Sequence, residues 1–158
     1  MTRALDFKKI NKTIRIFAVV QFGLMALLVY MAVNFQTKLL TLGRERNFMQ
    51  GVIATFVIEL ALFYPIYKFA AKEANWDLFL TGNLTKEEIK AVSKKKRFAD
   101  IIKISTFGFF VVFILAAPGD PLVLSVLYYS FILTILTYLQ CYNFVAKKLM
   151  KEQAASKE

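Results

Sequence analysis

The sequence predicts an all-α integral membrane protein: a four-helix bundle with a short cytoplasmic amphipathic helix between its second and third spans. Three observations carry that prediction. Hydrophobic residues make up 58% of the 158 and aromatic residues 15%, whereas a soluble domain carries about 45–50% apolar residues even with glycine counted. Charges are distributed so that four long stretches are almost free of them. The 21 Lys and Arg outnumber the 11 Asp and Glu, and they gather on alternate connections, as in a chain that crosses a bilayer repeatedly.

The first span is residues 16–37, which hold no charge. Its apolar run exceeds the roughly 7–15 residues of a signal-peptide core, and Asn34–Phe35–Gln36 stands where a small-x-small cleavage site belongs, so it is expected to remain as a signal anchor. The second span is residues 47–67, interrupted only by Glu59. Pro65 removes a helical hydrogen bond there and is expected to kink it.

The connection over residues 68–100 has local structure of its own. Trp76, Leu78, Phe79 and Leu80 stand beside Lys72, Glu73 and Asp77, a pattern expected of an interfacial anchor. Thr85-x-x-Glu88 reads as a capping box, with Leu84 and Ile89 as its hydrophobic staple. The predicted polar helix covers about 86–98, ending there or running straight into the third span.

The third span, residues 101–119, holds Lys103 near one end, from where its ammonium reaches the headgroups. Pro118–Gly119 then makes a tight turn, and Asp120 before Pro121 supplies an N-cap and a first-turn proline for the fourth span, residues 121–146. A soluble bundle is the rival reading, but its helices carry a polar face at every turn. Residues 24–29 and 107–115 have none. The whole chain, 1–158, reads as one transmembrane domain.

Orientation follows from the basic residues. Of the 21 Lys and Arg, only Lys38, Arg44 and Arg46 fall on the side opposite the N-terminal segment, the second connection and the tail. The positive-inside rule therefore puts both termini in the cytoplasm, with a bacterial plasma (inner) membrane as the expected location. The run Lys94, Lys95, Lys96 and Arg97 is expected to contact anionic headgroups or to dock a cytoplasmic partner. A nucleic-acid partner is not expected.

Several chemistries are excluded by composition. The chain has no His, which removes imidazole metal sites and nucleophile–His dyads. Cys141 is the single Cys and forms no internal disulfide. No HExxH, glycine-rich phosphate loop or GxSxG occurs. The expectation is a protein without catalytic activity, cofactor or metal.

Glu59 is the one ionisable residue deep inside a predicted span, and such residues mark functional sites by default. Gly51, Thr55 and Glu59 recur every four residues, so they share one face, and Gly-xxx-Thr lets another helix approach closely. Depth along the second and fourth spans sets Glu59 level with Thr134, Thr137 and Tyr138. Ser130, Thr134, Thr137 and Cys141 lie on one face of the fourth span, and Gln21 and Thr106 fall in the same half of the bilayer. The patch around Glu59 is expected to be either a proton or cation site or a helix-packing site in which a protonated Glu59 acts as glue.

Two functions follow. One is a non-enzymatic accessory or assembly subunit of a membrane complex, packed against another subunit or itself. The alternative is a small homo-oligomeric proton- or cation-coupled transporter or channel that uses the intramembrane carboxylate, since four spans alone enclose little pore.

Overall fold

The computed structural model describes residues 7–82 and 84–155; Arg3 and Lys157, counted above for orientation, lie outside them. The described residues form four helices, α1 (Lys8–Thr41), α2 (Glu45–Phe79), α3 (Lys86–Ala116) and α4 (Pro121–Ala155). Each is long and apolar enough to cross a membrane.

All four helices run beyond the uncharged stretches that predict them, and in α2 and α3 the extension reaches residues of the site. Helix α2 continues through Pro65 and on over residues 68–79, because Ala, Lys, Glu and Leu there are good helix formers. It ends where the Thr81 hydroxyl donates to the Leu78 carbonyl at 2.6 Å, one residue before Gly82. The predicted polar helix and the third span are one unbroken helix, α3.

The ends of the helices are specified residue by residue. After α1, Gly43 adopts φ +67°, a conformation that costs glycine nothing. Its N–H bonds to Leu40 O at 2.9 Å, and that of Arg44 bonds to Leu39 O at 2.8 Å, forming a Schellman turn. Before α4, Asp120 Oδ1 accepts from the N–H of Leu122 at 2.8 Å and of Val123 at 3.4 Å. Asp120 Oδ2 meets Arg44 Nη1 at 2.7 Å, which joins the α1–α2 and α3–α4 turns at one end of the bundle. The Arg44 guanidinium and these backbone donors hold the Asp120 carboxyl below its ordinary range.

At the opposite end Thr85 caps α3 in a full capping box. Glu88 N–H donates to Thr85 Oγ1 at 3.3 Å, and Thr85 N–H donates to Glu88 Oε2 at 2.9 Å. The Thr85 N–H, and the Thr85 hydroxyl that meets the same Oε2 at 3.0 Å, favour the charged carboxylate and lower the Glu88 pKa. The box is therefore complete above the ordinary Glu pKa and is lost as pH falls through the lowered value. Thr85→Ala is expected to cost about 0.5–2 kcal/mol locally. Limited proteolysis should then cut faster between Thr81 and Lys96, and an unchanged rate would show that something other than the cap holds this segment.

Packing divides the helices into a core and an outlier. Ala70 and Ala74 of α2, at 0% and 1% exposure, let α2 close on Tyr142, Val145 and Ala146 of α4, with Ile10 and Ile14 of α1 sealing the cluster. Helix α3 stands apart. Only Val92, Ala99 and Phe110 among its residues are buried, whereas Leu115 is 81% exposed. The rings of Phe107 and Phe110 touch Phe131 of α4 at 5.3 and 5.2 Å between centroids. Phe35 and Leu39 of α1 and Tyr129, Ile132, Leu136 and Leu139 of α4 are buried as well, whereas many other large apolar side chains look outward, Phe22 of α1 at 79% exposure among them.

Candidate functional site

The Gly51–Thr55–Glu59 face of α2 lies against α4. A Cβ added at Gly51 would stand 3.0 Å from Ser125 Oγ and 3.2 Å from Leu122 Cδ1, so only glycine permits this approach without displacement. Thr55 is buried, and its hydroxyl is committed to the Gly51 carbonyl at 2.8 Å. Glu59 Oε1 accepts from Thr137 Oγ1 at 2.5 Å. Its other oxygen, Oε2, is buried and has no partner among the described residues.

Other polar atoms on neighbouring helices share that condition. Ser130 Oγ, Thr134 Oγ1 and Tyr129 Oη on α4, and Gln21 Nε2 on α1, are buried and unpartnered. Gln21 lies one turn beyond Phe17, whose ring packs on Tyr138 and Tyr142 at 6.3 and 5.0 Å, so its register matches the Thr134–Tyr138 stretch. Thr106 of α3 is turned to its own helix and donates to Ile102 O at 2.9 Å.

Tyr138 does not join Glu59. Its hydroxyl donates to Glu73, two heptads further along α2. Glu73 is 4% exposed, and its second oxygen accepts from Lys103 Nζ of α3 at 2.8 Å. Lys103 also meets Asp100 at 2.8 Å and lies 5.9 Å from the centre of the Tyr138 ring. One turn on, Asp77 accepts from the Tyr142 hydroxyl at 2.5 Å and pairs with Lys96. Two rungs therefore cross the bundle, Tyr138–Glu73–Lys103 and Tyr142–Asp77–Lys96, each reaching from α4 through α2 to α3. A nearly buried carboxylate is tolerable here because a cation and a hydroxyl both face it.

These rungs were missed by reading Glu73 and Asp77 as the polar flank of an anchor. The signal was the spacing: acids four apart on α2, tyrosines four apart on α4, and lysines seven apart on α3. Lys96, grouped with the basic run, points inward to Asp77, while Lys94, Lys95 and Arg97 are exposed.

All four helices contribute to a cavity of about 440 Å³, with Phe17, Phe69, Phe107, Phe131, Thr134 and Tyr138 among its lining residues and Lys103 as its one charged group. Among the described residues, no group of three or more Cys, Asp or Glu is placed to hold a metal ion. No protein-family model matches the chain, and comparison with curated proteins and with solved structures gives no match.

Proposed function

We propose that the chain is a four-span integral membrane protein of a bacterial plasma membrane, with both termini cytoplasmic, and that it serves as a non-enzymatic accessory or assembly subunit packed through α3 against a second membrane protein. The observation that carries this reading is the position of α3. It is bound to the core by two ionic rungs and by the rings of Phe107 and Phe110 on Phe131, and it leaves Ile104, Phe109, Val112 and Leu115 outward. A helix tied by its polar groups and bare on its apolar ones suits a partner helix, since helices in lipid associate through close packing and polar contacts. The amphipathic cytoplasmic part is the first third of α3, whose exposed Lys94, Lys95 and Arg97 suit anionic headgroups or a docking partner.

Topology is the first thing to establish. A reporter fused after Glu158 is expected to behave as cytoplasmic and one inserted at Gly119 as external. Cytoplasmic signal at Gly119 would remove the four-span arrangement. The partner is tested by placing a photo-crosslinking residue at Val112 or Leu115 and irradiating native membranes. An adduct with a different membrane protein is expected. Adducts of this chain only with itself would favour the homo-oligomeric transporter, for which Glu59 on Thr137 is the supporting contact. Adducts with neither would end the subunit reading.

A further inference from the structure

We propose that Glu59 is a proton-binding site, a carboxyl that holds an exchangeable proton inside the bundle. The assignment rests on the helices lying in a bilayer and does not depend on α3 having a partner.

The charges around Glu59 argue for a bound proton. The α2 acids that carry counter-cations are Glu73 and Asp77, both near the far end of the helix. Among the described residues, no ion pair reaches Glu59. From α4 it is faced by the Thr137 hydroxyl and, one turn on, by the thiol of Cys141. Tyr138 is turned away to Glu73, and α1 brings Gln21 from a stretch that holds no charge. The nearest cation of α3 in the span, Lys103, is shared by Glu73 and Asp100. An isolated carboxylate in such surroundings costs far more than a neutral acid. A proton supplies the missing charge.

The hydrogen bonds say where that proton sits. Thr137 Oγ1 occupies Oε1, and Oε2 has no partner among the described residues, so Oε2 is the oxygen left free to carry the proton. The same stretch holds the buried, unpartnered Thr134 Oγ1, Ser130 Oγ and Gln21 Nε2. Buried polar atoms of this kind are characteristically satisfied by internal water. Internal water that satisfied these atoms would give the Glu59 proton an exchange route, which a packing acid sealed in hydrocarbon lacks.

The test is infrared spectroscopy of the full chain in phosphatidylcholine–phosphatidylglycerol vesicles at neutral pH. Wild type should show the C=O stretch of a protonated carboxylic acid, absent from Glu59→Gln, and the band should shift to lower frequency after transfer to D2O. Thr137→Val supplies an independent assignment should Glu59→Gln fail to fold. It removes the bond to Oε1, so the band should move to higher frequency and still exchange. Absence of the band in wild type would mean that Glu59 is ionised, and a band that does not shift in D2O would mean a locked proton. Either result overturns the proposal.

Discussion

Lys103→Met is expected to destabilise the protein by about 3 kcal/mol or more, because it leaves a nearly buried carboxylate without its cation. Glu73 is 4% exposed and would keep only the Tyr138 hydroxyl. Glu73→Leu is expected to cost somewhat less. Lys103 is about one third exposed and retains Asp100, so part of its charge remains solvated. The double variant should return to within about 1–2 kcal/mol of wild type, since an apolar pair of similar volume often replaces a buried ion pair without loss. Denaturant unfolding in mixed micelles, carried through the full cycle of four proteins, measures the coupling. Single costs that simply add would show that the rung is not a unit.

The second large effect is steric. Gly51→Leu is expected to cost about 3 kcal/mol, at the upper end of the range for overpacking a tight contact. The first atom of the new side chain already stands 3.0 Å from Ser125 Oγ, and Ser125 is 1% exposed and bound to Leu122 O at 2.7 Å, so it has nowhere to retreat. Gly51→Ala should cost less, and adding Ser125→Ala should relieve the Ala variant but not the Leu one. Thermal unfolding of the set checks the order. Equal loss in Gly51→Ala and Gly51→Leu would place the effect in the backbone instead of the α2–α4 contact.

How far the sequence reveals this arrangement depends on which forces placed each residue. Gly51, Thr55 and Glu59 are readable because a period of four on an apolar helix puts small and polar groups on the face that meets another helix. Thr137 is readable as a partner of Glu59 because α2 and α4 run in the same direction, so depth along one maps onto the other. The same arithmetic misplaces Tyr138. A tyrosine hydroxyl sits far from its own backbone, and this one finds an ionic rung that depth alone does not reveal. Glu73 and Asp77 are not legible as site residues, because an uncharged stretch measures the apolar part of a helix and not its full length. Helix α2 continues past that stretch, and charges that look like a flank become part of an interface. Even the standing apart of α3 has a faint trace in the sequence. Residues 107–115 are bulky, Phe107, Phe109, Phe110 and Phe113 among them, with Gly108 the one small residue in that run.

The pairing of α2 with α4 also fixes the order in which the protein can be completed during synthesis. The hydroxyl contacts of Glu59, Glu73 and Asp77 span 65 to 78 residues of chain. When synthesis has just reached the end of α3, all three acids have been made, and none of the hydroxyls that answer them has. Glu73 and Asp77 can find their lysines at that stage, but Glu59 must wait for Thr137. On the four-span arrangement proposed above, a chain arrested after Ala116 is expected to leave that carboxyl unanswered until the last helix arrives.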